Sequence, residues 1–426
     1  MALSTTLLMG VRSSLRSVVL RRGCYSTSAP WAATYRSSGR VHAMADTGIA
    51  VIGGGLGGLT FARVMQTKGL DVTIFEREPS RESRGQGGVL DLHPESGQWA
   101  LIQAGLEAEY RSMARAEGQD MRIMDKHGNL LWDEVSPADL MERPEVDRPA
   151  LRNLLIESLR PETIRWDHHV ISIEPSGDDG PYEIRFANGA TTRAAVVIGA
   201  DGARSRVRPL VNDAEPTYAG VSFVEIGIPD AERLHIEAAK TVGRGSLFAL
   251  GDNKGMIAQR NGDGRIRIYV AFRMQEGGFS ELGIAFNESH DLIRKAIMNQ
   301  FEGWAPEIID LIRACDNSFV PRPLYALPVG ISWPSMKTVT LLGDAAHLMS
   351  PFAGAGANLA MQDGAALALK LFDSTDSASA ILAFEREMFE RAEQEARQSE
   401  ECLGMCISQD GATRFAQQMS YYQSGQ

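Results

Sequence analysis

The sequence predicts an α/β fold: a Rossmann-like dinucleotide-binding domain, a second domain built on an antiparallel sheet, and a long C-terminal helix. Three observations carry this. Short apolar runs at 48–52, 195–199 and 338–342 each end in glycine or run directly into it, as buried parallel strands do. From about 216 to 320 the pattern changes to strand-like runs parted by Gly-, Asp- and Asn-rich turns. Residues 376–407 then read as a long charged helix.

The 426 residues are 44% hydrophobic and 23% charged, enough for a sizeable core and for two or three domains. With 43 Lys and Arg against 54 Asp and Glu, the net charge is −11, which excludes a nucleic-acid binder relying on a broad basic face. Cys24, Cys315, Cys402 and Cys406 form no CxxC and no zinc spacing, and read as ordinary reduced thiols. No stretch offers the ~20 apolar residues of a membrane span.

Residues 1–45 stand apart. They carry Arg12, Arg16, Arg21, Arg22, Arg36 and Arg40 and no Asp, Glu or Lys, amid many Ser and Thr. This is the pattern of an organellar transit peptide, with an amphipathic helix from Leu7 to Leu20. Arg12 and Arg16 interrupt what would be the apolar core of a secretory signal. A mitochondrial location is expected; the alternatives are that 1–45 is a plain disordered leader, or that the chain starts at Met44, which would leave the folded part whole and cytoplasmic.

The folded part opens with the strand 48–52, the turn Gly53-Gly54-Gly55-Leu56-Gly57-Gly58, a helix from Leu59 to Lys68 stopped at Gly69, and a second strand, 71–75. Gly53, Gly55 and Gly58 fit G-x-G-x-x-G. Gly53 permits the tight turn, Gly55 lets backbone N–H groups approach a pyrophosphate, and Gly58 lets helix and strand pack closely. Glu76, 18 residues beyond Gly58, can accept hydrogen bonds from a ribose diol, which favours an unphosphorylated ribose as in FAD or NAD.

The strand 195–199 runs into Ala200-Asp201-Gly202, and 338–342 runs into Gly343-Asp344. Each places a carboxylate at the C-terminal edge of the sheet, where ligands bind in such folds. The turn Pro351-Phe352-Ala353-Gly354-Ala355-Gly356, ahead of a helix at 359–372, offers N–H donors to a phosphate or an electron-rich ring.

These motifs resemble the class A flavoprotein monooxygenases, with the p-hydroxybenzoate hydroxylase fold. The fingerprints are GGGLGG at 53–58, ADGARSRVR at 200–208 and GDAAHLMSPFAGAGANLAMQDG at 343–364, in family order. Gly87-Gly88-Val89-Leu90-Asp91-Leu92-His93 and the run from His347 to Gly354 look most like the TetX-like, tetracycline-inactivating monooxygenases. The resemblance implies FAD bound by Gly53, Gly55, Gly58, Glu76 and Arg77 at the adenosine end, with Asp344 on the ribityl chain and Asp91 and Arg148 at further FAD positions. It also implies Arg84 at an NADPH position, Asp201 linked to both cofactors, and Pro351, Gly354 and Gly356 bordering the flavin. Arg152 reads as a helix-surface or domain-packing cation or as a ligand, His347 as structural, and Arg204, Arg206 and Arg208 as surface cations or ligands.

The implied domains are 46–215 plus 321–372 for FAD, 216–320 for substrate and 373–426 for the C-terminal helical region. NADPH or NADH would reduce FAD, O2 would add at flavin C4a, and the resulting hydroperoxide would hydroxylate a small phenolic or polyketide-like substrate. No protein acid or base is assigned, and neither a metal nor a nucleic acid is implied. In the tetracycline-inactivating relatives the pocket's polar set falls at positions aligning with Glu225, Ser246 and Gly251. None of those residue types is kept, so Glu225 is the one substrate candidate, with an exposed strand residue as its plain alternative. Other readings are a quinone-biosynthesis hydroxylase and a catalytically silent flavin-binding redox or scaffold protein.

Overall fold

The structure is a computed structural model that describes residues 46–83, 87–137, 141–177 and 180–424. The expected leader, 1–45, and Arg84 lie outside the described residues.

The first sheet is built on parallel strands. Thr47–Ile52 lies between Thr73–Phe75 and Thr191–Gly199, parallel to both. Thr191–Gly199 is long enough to serve two neighbours on its other side. Its first half pairs antiparallel with Tyr182–Phe186, and its last three residues pair parallel with Val339–Leu341. The three strand ends that carry Gly53, Ala200-Asp201 and Gly343-Asp344 therefore lie side by side at one edge. Ala50, Val51, Val196, Val197 and Ile198 are fully buried between covering helices, which explains the unbroken apolar runs.

Helices Leu56–Thr67 and Ala355–Asp373 cross in direct backbone contact. A Cβ at Gly364 would lie 2.4 Å from the Gly57 carbonyl oxygen, and one at Gly57 would lie 2.7 Å from that of Ala360. Both helices start earlier than the sequence expectation of Leu59 and Leu359. Glycines in their first turns, poor helix formers, masked the true starts.

The second sheet contains all four expected strands, as Thr217–Ile228, Ser246–Gly251, Lys254–Arg260 and Ile266–Arg273. It extends beyond the 216–320 interval. Val320–Ala326 forms one edge, and Met121–Met124 with Leu130–Glu134 forms the other. One face, carrying Val224, Ile226, Ala258, Ile268 and Val270, packs on helices Ile236–Val242, His290–Asn299 and Pro306–Arg313. The other, with Phe223, Phe248, Ile257 and Tyr269, meets Phe352 and the C-terminal helices.

The charged helix expected at 376–407 is Ser377–Cys406, with Asp376 accepting the Ser379 N–H at its start. Ile381, Phe384 and Met388 join the core of the first sheet, and Cys402, Leu403 and Cys406 join that of the second. A final helix, Gly411–Gln423, adds Phe415 to the second core.

Candidate cofactor and active site

The glycine turn has the geometry that its spacing implies. Gly53 has φ +109°, and a Cβ there would lie 2.3 Å from the Ala200 carbonyl oxygen. A Cβ on Gly58 would lie 2.3 Å from the Gly53 carbonyl oxygen. At Gly55, by contrast, a Cβ would meet nothing within 4 Å. The helix starts there without a side-chain cap and with no acidic residue in its first turn, which leaves its N–H groups for an anion. Gly354, with φ +66°, opens the helix Ala355–Asp373 in the same uncapped way.

Glu76 is buried at the end of its strand. Its Oε2 accepts the Gly54 N–H at 2.5 Å and its Oε1 accepts that of Glu78 at 3.0 Å, so it shapes the turn with lone pairs to spare. Arg77 is exposed beside it. Arg152 is a packing cation, as one of its readings had it, and neither a surface cation nor a ligand. It is buried, ion-paired to Glu78 at 3.1 Å, and donates to the Gly54 and Arg81 carbonyls. It braces the turn from below.

The loop after Asp201 is tied to the one after Asp344. Asp201 accepts the Ser205 hydroxyl and the Arg206 N–H, both at 2.6 Å, and burial raises its pKa. Arg208, grouped with Arg204 and Arg206 as a surface cation or ligand, is buried instead. It donates to the carbonyls of Ala203, Asp344 and Ala345, joining the two motifs. Arg204 and Arg206 are exposed. Asp344 is also exposed, in the crook between its own short helix and Gly356, whose Cβ position lies 3.9 Å from Asp344 Oδ1.

Below that loop His347 is structural. Its Nε2 lies 2.6 Å from Asp363 Oδ2, and Asp363 also accepts from the Gly343 N–H and Arg391. Burial alone would lower the His347 pKa, but the Asp363 charge and hydrogen bond reverse this and raise it. Burial alone would raise the Asp363 pKa, but His347 and Arg391 lower it.

Asp91 ends the strand Val89–Asp91 and is buried. Its Oδ2 lies 3.0 Å from His93 Nε2, while its Oδ1 has no hydrogen-bond partner among the described residues. Arg148 opens a helix, its N–H bonded to the Gly88 carbonyl. Asn358 was not singled out by sequence. Its amide donates to the Asp91 carbonyl at 2.8 Å and accepts the His93 N–H at 3.0 Å, latching this strand to the long helix across 265 residues or more.

Glu225 is not an exposed strand residue. It lies on the inner face of the second sheet, clamped by ion pairs to Arg267 and to Arg322, the latter at 2.9 Å. Opposite it, Tyr269 has its phenol pKa pushed up by burial and by the Glu225 charge, so it stays protonated. Among the described residues no group of three His, Cys, Asp or Glu side chains suits a metal ion, and no helix is long and apolar enough to cross a membrane.

Three sheet-edge motifs, two uncapped helix starts and the open approach at Gly55 fit a bound dinucleotide, which makes this the site of a dinucleotide-dependent enzyme. The chain belongs to the FAD binding domain family of class A, aromatic-hydroxylase-type monooxygenases, matching it over residues 46–279 and 335–399. Monooxygenase asqM of Emericella nidulans is 31% identical, the match covering 88% of this chain and 99% of that protein. Klebsiella pneumoniae HpxO, solved with FAD and uric acid, superposes with a TM-score of 0.72 at 21% identity, over 88% of this chain and 92% of its own. The tetracycline destructase Tet(51) gives a TM-score of 0.64 at 21% identity, over 88% and 96%. The two solved structures share the p-hydroxybenzoate hydroxylase fold with this chain, and the family makes it an FAD-dependent monooxygenase.

Proposed function

We propose that the enzyme uses NAD(P)H and O2 to hydroxylate a small planar ring, phenolic or polyketide-derived, held between the flavin and the inner face of the second sheet. The observation that supports this is where the two halves meet. Phe352, in the Pro351–Ala353 turn of the cofactor loop, lies 6.0 Å from Phe223, whose ring is 5.6 Å from that of Tyr269. These rings are buried against one another, so the cofactor loop packs directly on the second sheet and brings that sheet's face beside the flavin site.

When bound, FAD supplies the electron-transfer and oxygen chemistry. The chain's own residues bind, orient and exclude water. The N–H groups of the glycine turn take the pyrophosphate, and Asp344 takes the ribityl hydroxyls. Arg208 keeps the Asp201 and Asp344 loops in register. Tyr269, kept protonated, is a hydrogen-bond donor and not a base. Glu225 is neutralised by two arginines, and with Ser246 and Gly251 at the other positions the pocket lacks the polar set of the tetracycline-inactivating enzymes. Tetracyclines are accordingly poor substrates. We also propose that residues 1–45 direct the protein to mitochondria.

The test is consumption of NADPH and NADH by the purified holoenzyme with a panel of phenols, polyketide-like rings and a tetracycline. Product masses are checked for one added oxygen. A substrate should stimulate consumption and gain oxygen. Bound FAD with no stimulated consumption and no oxygenated product would leave a flavin-binding redox protein in place of this reading. Coupled hydroxylation of tetracycline would overturn the pocket assignment.

A further inference from the structure

A line of titratable groups leads from the cofactor site to solvent. Asp91 and His93 are 3% and 4% exposed, and Asp91 Oδ2 lies 3.0 Å from His93 Nε2. On the far side of the ring, His93 Nδ1 lies 3.9 Å from Glu95 Oε1, and the Glu95 side chain is 67% exposed. Between His93 and the helix Trp99–Gln103 the chain makes a π-turn, Pro94–Gln98, a rare form that occurs mostly at functional sites. This turn carries Glu95 to the surface, and the Glu95 carbonyl accepts from Gln362 at 3.1 Å. Glu395 reaches the same place from the helix Ser377–Cys406. Burial raises its pKa, the His93 charge lowers it, the Glu95 charge raises it and the Arg143 charge lowers it. Its Oε2 has no hydrogen-bond partner among the described residues. Three carboxyl groups thus act on one imidazole, with Arg143 as the nearby cation.

The inner end of the line stands at the flavin loop. Asn358, in the first turn of the helix that Gly354 opens, donates to the Asp91 carbonyl at 2.8 Å and to the Gly354 carbonyl at 3.5 Å. With Asp91 accepting at Oδ2, the ring proton is on Nε2, and Nδ1 is left to face Glu95. The buried pair of His347 and Asp363 makes a contrast. There the carboxylate is shared with Arg391 and the Gly343 N–H, and His347 Nδ1 is buried with no partner among the described residues, so that pair ends inside the protein. Among the described residues neither cluster suits a metal ion.

We propose that Glu95, His93 and Asp91 carry a proton from solvent to the flavin site. This rests on the hydroxylase reading above, whose balance requires such a proton. R–H, O2, NAD(P)H and H+ give R–OH, H2O and NAD(P)+, so one proton is taken up in each turnover. The site excludes water and must still admit that proton. Glu95 collects a proton from water. His93 Nδ1 then takes it from the Glu95 carboxyl as Nε2 gives its own proton to Asp91 Oδ2. One O–H and one N–H bond break, one N–H and one O–H bond form, and nothing is oxidised or reduced. A turn of the ring restores the starting form. Movement of the exposed Glu95 side chain, or one bridging water, spans the 3.9 Å. The line depends on His93, because it lies between the two carboxyl groups.

The test uses the FAD-loaded enzyme and needs no substrate. Photoreduced FAD and O2 give oxidised FAD and hydrogen peroxide with uptake of one proton, and stopped-flow absorbance follows the reaction. His93→Gln, which can still donate to Asp91, should keep its FAD content and thermal midpoint and reoxidise at least tenfold more slowly. Glu95→Gln, a surface change, should slow reoxidation at least threefold. A second readout involves no turnover. In the resting, oxidised holoenzyme labelled with 15N-histidine, the His93 ring proton is identified by its loss in His93→Gln, and its exchange with water is measured. Glu95→Gln should slow that exchange at least fivefold, whereas a histidine that only braces the turn would exchange by local opening and show no change. A His93→Gln protein that holds FAD and reoxidises as fast as the natural one would overturn the proposal. So would an unchanged exchange rate or an unchanged reoxidation rate in Glu95→Gln, which decides the matter if His93→Gln does not fold. Failure of the hydroxylase reading shows differently, as bound FAD that NAD(P)H does not reduce, and neither measurement here uses NAD(P)H.

Discussion

Two glycines three residues apart should respond to the same added methyl group in opposite ways. In Gly58→Ala the Cβ would lie 2.3 Å from the Gly53 carbonyl oxygen, 3.2 Å from Val51 Cγ1 and 3.3 Å from Ala200 Cβ. Ordinary contact is about 3.5–4 Å, so helix and strand must separate by roughly 1 Å. Overpacking of this kind costs about 1–3 kcal/mol, and about 2–4 °C in Tm for each kcal/mol in a mid-sized domain. In Gly55→Ala the Cβ meets nothing within 4 Å, and φ −78° with ψ 178° is open to alanine. Folding should lose only about 0.5–1 kcal/mol, from a poorer N-cap. The methyl instead occupies the approach to the helix N-terminus. Losing two charge-assisted bonds to the pyrophosphate, at about 1.5–3 kcal/mol each, weakens FAD by roughly 10²–10⁴-fold. Thermal melting of the apoproteins and titration with FAD separate the two outcomes. A Gly55→Ala protein that binds FAD as tightly as the natural one would refute the assignment of this turn to the pyrophosphate.

Asp344→Ala should purify with reduced FAD content, since each charge-assisted ribityl bond lost is worth about 1.5–3 kcal/mol; unchanged FAD affinity would remove that role from Asp344. Asp363→Asn should destabilise by about 3–5 kcal/mol, because His347, Arg391 and the Gly343 N–H lose a buried charge that they share. In the natural protein the raised His347 pKa gives stability that is full below its unfolded value near 6.5 and is lost as pH rises through the folded value. The lowered Asp363 pKa gives stability present above about 3.9 and lost as pH falls through its own folded value. Melting curves across pH should show the alkaline loss disappear in Asp363→Asn. Residues 1–45 fused to a fluorescent protein should enter mitochondria, and diffuse fluorescence would end that proposal.

What sequence revealed and what it concealed follow from the range of the interactions. Gly53, Gly58 and the Gly-Asp strand ends were legible because local geometry demands those residue types. The four hairpin strands were legible from turn chemistry and alternation. Arg208 was not, since its three acceptors lie partly on a loop 136 or more residues away. Asn358 is hidden in the same way, as an ordinary helix residue until the fold brings Asp91 beside it. Met121–Met124 and Leu130–Glu134 escaped because they are short, and the first pairs with a strand more than a hundred residues further along. Glu225 was found for the right strand and given the wrong surroundings, because no local pattern announces Arg267 and Arg322 on the neighbouring strands.

The helix Ser377–Cys406 begins in one hydrophobic core and ends in the other. About a third of the way along, buried Glu385 accepts from Trp333 Nε1 at 2.9 Å and from the Thr340 hydroxyl at 2.7 Å, pinning it to the strand that delivers Asp344. Near its end Ser399 and Ser350 bond one another, next to Phe352. A chimera that took the second sheet from a relative while keeping this chain's C-terminus would join two surfaces never selected to fit. The unit that can be exchanged between such enzymes is therefore the sheet together with everything from about Ser399 onward, so that specificity here is inherited in two separated stretches of chain.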